Sequence, residues 1–353
     1  MGRDSNIELL RLVSMFMVVA FHMNFYALGV PTKDICLTQP GWAFIRVLHE
    51  QAAVIAVNVF VLISGWFGIR ASMRGAISFF FQVAFYSLFA IGISYLLNGF
   101  HFPDLKPILK QFYFGFSYWF VPAYFILYAF SPVLNAFIAC ASQKQFKYLL
   151  ITFFLLEFVY GFISDAGSYM GGYSPIAFMG LYLLSRYIAI HRPRFAQRSI
   201  PSDIIVYLSL TVLAAIISYF SIRFTGNEGK MRHYNSPLVI ASALFFFLAF
   251  SKLLFTSNLV NRLALSAFAI YLIHANILII PHFVKWTVHL YEAVPHWLYF
   301  PTTIPFILLL CLICIGVDQV RIKFWNILNH RILSHIVTNH ALYFHRHNNH
   351  GQE

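Results

Sequence analysis

Arg11 and His22, two residues that a membrane helix ordinarily avoids, lie within one apolar stretch running from Asn6 to Gly29. They are eleven residues apart. At about 100° per residue this spacing returns to the same helix face after about three turns, or roughly 16 Å of axis. Glu8, Met15 and Val18 fall on the same stripe. Histidine suits general-base chemistry because its reference pKa of about 6.5 leaves a neutral imidazole able to accept a proton near pH 7. An ionisable group deep in a bilayer is costly, so it normally faces a polar cavity and has a task. Two other apolar stretches contain one, Glu157 and His274. A plainer role stays open for each of the three: a side chain hydrogen-bonded across helices. For Arg11 the alternatives are an edge cation that reaches lipid phosphate and a partner of Glu8 three residues earlier.

The elements that must position these residues are membrane helices. The chain of 353 residues is 60% hydrophobic and 10% charged, more apolar than the surface of a soluble protein can accommodate. Repeated apolar runs of about 20 residues predict an all-α, polytopic transmembrane helical bundle. About ten spans are expected, near 8–29, 52–70, 76–98, 117–140, 147–165, 173–190, 203–224, 236–255, 264–282 and 298–320. The first reads as a retained anchor, since it is long, carries Arg11 and lacks a small-residue cleavage site. The link 98–117 reads as a loop with an interfacial segment, because Pro103 and Pro107 disfavour a continuous helix.

Lys and Arg number sixteen on one set of connecting segments and eight on the other, which predicts both termini in the cytoplasm. The link HRPRFAQR at 191–198 is the clearest cytoplasmic marker. The expected outside loops, 30–51, 99–116, 225–235 and 283–297, are the longer ones and are rich in aromatic, polar and histidine residues. With the glycine-rich SDAGSYMGGYSP at 164–175, they suit a hydroxylated acceptor better than an ion. The net charge of +12 is spread thinly and forms no basic run, so it reports topology rather than nucleic-acid binding. Four cysteines give no disulfide framework, and Cys311 with Cys314 reads as helix packing rather than as a metal site. A membrane domain over 1–320 is expected, followed by a cytoplasmic amphipathic tail, 321–353, with His340, His345, His347 and His350.

The Arg11–x10–His22 pattern resembles the signature of the acyltransferase-3 family of integral membrane O-acyltransferases. Three further blocks agree in order: VNVFVLISGWFGI (57–69), YWFVPAYFILYAFSPVLN (118–135) and SAFAIYLIHANIL (266–278). The resemblance implies transfer of an acyl group, most often acetyl from acetyl-CoA, to a hydroxyl of an extracytoplasmic or lipid-linked glycan, as in surface-polysaccharide and exopolysaccharide O-acetylation. It implies no permanently bound cofactor, acyl-CoA as donor substrate, and a multi-pass location in a bacterial inner membrane.

By the same resemblance His22 is the catalytic histidine, either as general base or through a transient acyl-histidine. Arg11 contacts the donor or holds the span in place. Arg70 and Arg74 are candidates for the donor's phosphates, although their spacing departs by one residue from the family's usual pair of arginines. His274 and Glu157 are candidates for acceptor binding or for support behind the site. Tyr118 and Trp119 are expected at the outer interface, where they anchor the helix or stack on a sugar. Ser64 in Ser-Gly reads as a close-packing point rather than a nucleophile. The competing class is a secondary transporter or flippase, which also needs many spans with a few buried charges. A purely structural membrane partner would leave the Arg11–His22 stripe unexplained.

Overall fold

A computed structural model describes the backbone of residues 4–112 and 118–349, and the side chains of 4–109 and 118–327. In chain order the helices begin with α1 (Ser5–Phe21), extended by a π-helical turn (His22–Tyr26), then α2 (Lys33–Thr38), α3 (Pro40–Ala53) and α4 (Ala56–Phe67). Next come α5 (Met73–Leu97), α6 (Leu105–Phe112), α7 (Phe120–Cys140) and α8 (Gln143–Leu156), the last extended by a second π-helical turn (Glu157–Ile163). The chain continues through α9 (Pro175–His191), α10 (Ile200–Thr225), α11 (Pro237–Ser251), α12 (Asn258–Ala264), α13 (Ala267–His274), α14 (Ile280–Ala293) and α15 (His296–Asn349). No strand occurs among the described residues.

Local chemistry sets many of the boundaries. Ser72, Ser142 and Ser174 each precede a helix and accept a hydrogen bond from the first turn. Ser142 and Gln145 form a reciprocal capping box. Gly68 ends α4 and Gly226 ends α10, both at positive φ (77° and 75°).

Among the described residues, seven helical stretches are long and apolar enough to cross a membrane: Ser5–Tyr26, Pro40–Phe67, Met73–Leu97, Phe120–Cys140, Gln143–Ile163, Ile200–Thr225 and His296–Ile327. The other three expected spans are shorter. α9 has 17 residues and α11 has 15. The stretch 264–282 is not one helix at all. α13 has only 8 residues and stops at His274; α14 begins at Ile280, with Pro281 in its first turn.

Two expected outside loops are largely helical. The segment 30–51 contains α2 and most of α3, so the second apolar stretch starts at Pro40 instead of residue 52. Charge obscured it, because Arg46 and Glu50 read as loop residues yet are buried at 3% and 0% exposure. They are paired through Asn24: Arg46 Nε donates to Asn24 Oδ1 (3.1 Å), and Asn24 Nδ2 donates to Glu50 Oε2 (2.9 Å). The segment 283–297 is mostly α14. The link after α5 holds the short α6, and α15 continues without a break past residue 320. The side chains of His340, His345 and His347 lie outside the described ones, as does all of His350.

α1 is the central element. Its Ile7 and Leu10 join one buried apolar cluster with α4, α9 and α11, while Met15, Val18 and Val19 join another with α5, α13 and α15. It packs directly on α3, α4, α11, α12, α13 and α15. Elsewhere α4 packs on α9, and Gly65 is the close-packing point: a Cβ there would overlap the Tyr182 carbonyl.

Candidate active site

His22 stands where α1 changes from α to π geometry, and its backbone N–H still bonds the Val18 and Val19 carbonyls. Such π turns often occur at functional sites. The turn is held by the buried Asn24, whose amide reaches the Arg46 carbonyl (2.8 Å) as well as the Glu50 carboxylate. Arg232, ion-paired with Glu228, lies over the rings of Phe21 and Phe25 at 5.9 and 5.8 Å.

The structure brings the two deep histidines together. His22 Nδ1 lies 3.0 Å from His274 Nε2, a pairing across 252 residues of sequence. His274 is the last residue of α13 and is buried (1% exposed). Its Nδ1 is 2.6 Å from the Ile270 carbonyl oxygen.

Tyr118 and Asn276 brace the break that follows. Tyr118 Oη donates to the Leu272 carbonyl (2.6 Å) and accepts from Asn276 Nδ2 (2.5 Å), and Asn276 Oδ1 accepts from the Leu278 N–H (2.9 Å). Tyr118 is 1% exposed and its hydroxyl points into the helix break. It is not among the residues lining the cavity, because the interrupted α13 offers a buried carbonyl that needs a donor.

A cavity of about 300 Å³ follows α1 from Arg11 through Met15 and Val18 to His22. Its walls are mainly apolar: Val57 and Phe60 of α4, Phe79 of α5, Phe120 of α7, Phe268 of α13. The polar groups on it are few. Arg11, about one-third exposed, pairs with Glu8 at 3.8 Å. Ser64 Oγ donates to the Phe60 carbonyl or shares a hydrogen with Tyr124 Oη, at 3.0 and 3.1 Å. Trp119 lines the cavity as well, stacked on Tyr234 (5.4 Å, 24°) and beside Tyr173 (4.4 Å).

The remaining candidates lie elsewhere. Arg70 lies between α4 and α5 and Arg74 in the first turn of α5; both are exposed, and neither lines the cavity. Arg186 of α9 is the cation that packs there, donating to the Trp66 carbonyl (3.0 Å). Glu157 is buried on the second π turn, away from the cavity lining, and its carboxylate has no hydrogen-bond partner among the described residues. Tyr124 and Tyr234 line the cavity unforeseen. Tyr124 follows Tyr118 within an already recognised block, but Tyr234 lies in a loop between α10 and α11 and left no signal in the sequence. Among the described residues no three His, Cys, Asp or Glu side chains converge as metal ligands.

This arrangement has an imidazole at a cavity, supported from behind by a second imidazole, with a guanidinium three turns away. Residues 4–316 match the family model described as an acyltransferase domain. The chain belongs to the acyltransferase-3 family. It is thus an acyltransferase-3 protein over nearly all of its apolar length, and the match takes in all four blocks that carried the resemblance. No curated protein and no solved structure is significantly similar to it.

Proposed function

We propose that this membrane acyltransferase moves an acyl group, acetyl in the first instance, from acyl-CoA onto a hydroxyl of an extracytoplasmic or lipid-linked glycan. The observation that carries the reading is the cavity running along α1 from Arg11 to a His22 already hydrogen-bonded to His274. In the reaction the acceptor hydroxyl gives its proton to His22 as its oxygen attacks the thioester carbonyl. The tetrahedral intermediate collapses with cleavage of the C–S bond, and the thiolate leaves as thiol with the proton held by His22. The apolar walls exclude water that would hydrolyse the thioester.

Arg11 meets a donor phosphate at the opposite end, exchanging its long contact with Glu8 for a charge-assisted one. Arg70 and Arg74, exposed beyond α4, are offered to the parts of the donor that remain outside the cavity. Trp119 and Tyr234 present aromatic faces to the acceptor sugar near His22. The reading carries with it a bacterial cytoplasmic membrane, with the N-terminus and the donor on the cytoplasmic side.

The test is release of free thiol by the reconstituted protein given acetyl-CoA and candidate glycans. Wild-type protein is expected to acylate the glycan, and His22→Ala to lose about 10²–10⁴-fold of the rate while remaining in the membrane. Wild-type rates from His22→Ala would remove His22 as base. Uptake of glycan without thiol release would replace the enzyme with a transporter.

A further inference from the structure

We propose that His274 is a positioning residue that fixes His22 as its Nδ1–H tautomer, leaving Nε2 as the nitrogen that takes the acceptor's proton. The inference rests on His22 as the base and adds which nitrogen acts and what selects it.

The chain of hydrogen bonds determines where the protons are. The Ile270 carbonyl can only accept, so His274 Nδ1, 2.6 Å away, must carry a hydrogen. A neutral imidazole has one N–H, so His274 Nε2 is then a bare lone pair. His22 Nδ1, 3.0 Å from that lone pair, must be the donor. His22 Nε2 is therefore unprotonated, and it is the nitrogen not engaged with His274, on a ring that lines the cavity.

The opposite polarity would need a doubly protonated His274. That places a cation on a side chain 1% exposed, beside the rings of Tyr271 (6.3 Å) and Phe283 (5.6 Å), with no carboxylate paired to it among the described residues. A buried charge without a partner is too costly for that arrangement to prevail. Free histidine in water favours the other tautomer, Nε2–H, so the selection must come from the neighbour.

Backbone architecture makes the selection possible. α13 stops at His274, and the chain beyond is held by Tyr118 and Asn276, so the ring sits on a fixed helix end. An imidazole fixed by a carbonyl does here what a carboxylate does in other histidine sites, without placing a negative charge in an apolar bundle.

Two measurements test this. In histidine-labelled wild-type protein, nitrogen NMR with the His22 signals assigned by their loss in His22→Ala should show Nδ1 protonated and Nε2 bare. In His274→Leu the His22 ring should move toward Nε2–H, and kcat should fall about 10²–10⁴-fold, the scale of a wrong-tautomer defect, with donor KM within about twofold. His274→Gln supplies an amide oxygen that can accept from Nδ1–H, so it should keep the Nδ1–H tautomer and recover kcat to within about tenfold of wild type. Wild-type His22 protonated at Nε2 would overturn the proposal, as would full kcat in His274→Leu or a Gln variant no better than Leu. An active His22→Ala enzyme would instead sink the general-base reading, leaving the NMR result intact.

Discussion

Arg11 and His22 line one cavity but differ in surroundings, and the roles proposed for them differ accordingly. Arg11 is one-third exposed and its ion pair with Glu8 among the described residues is a long one, so its guanidinium can meet an anion at modest desolvation cost. Arg11→Ala is expected to raise the KM for acyl-CoA about tenfold, the loss of roughly one charge-assisted hydrogen bond, with kcat changed less. Initial-rate kinetics at varied donor concentration check this; an unchanged KM would return Arg11 to an anchoring role. Both residues were legible in the sequence because their spacing is local and periodic. The His22–His274 bond was not, since it joins residues 252 positions apart and depends on how α1 and α13 pack. Sequence placed Tyr118 and Trp119 together at an interface, yet one braces a helix end and the other lines the cavity. Both precede α7, where no helical period fixes the direction of a side chain, and only packing reveals which direction matters.

At the scale of elements, the interrupted α13 is the feature that hydropathy could not see. Residues 264–282 are apolar enough to suggest a span, but Asn276 and Pro281 end the regular backbone between His274 and Ile280. The resulting bare carbonyl of Leu272 is satisfied by Tyr118. Tyr118→Phe removes that donor and one acceptor of Asn276, leaving the buried Leu272 carbonyl without its hydrogen bond at a cost of about 1–3 kcal/mol. The expected outcome is a lower melting temperature together with reduced thiol release, because the helix end that carries His274 loses its brace. Unchanged melting and activity would show the brace to be dispensable. α3 is the opposite case, where Arg46 and Glu50 disguise a buried helix as a loop. Hydropathy weighs side chains singly, so it overrates an apolar stretch with a polar hinge and underrates a charged one whose charges pair.

Over the whole molecule, α1 is threaded between two apolar clusters, and the cavity occupies the seam along it. Polar ties hold the surrounding helices. One is the ion pair of Lys252, just past α11, with the wholly buried Asp203 of α10. Lys252→Ala would strand that carboxylate, at a cost of about 3–5 kcal/mol. A clearly lowered melting temperature in detergent is expected, with the His22 chemistry intact in the protein that remains folded; melting like wild type would show that water takes the lysine's place. The cavity has a final consequence, which follows from its length. If Arg11 holds the donor's head and His22 works at its reacting end, α1 is a ruler of about 16 Å, comparable with an extended pantetheine arm. A thioester on a short arm can touch one graduation or the other but never both. On the proposed function the enzyme would thereby measure its donor before it reacts, and identify the carrier by reach rather than by the group being carried.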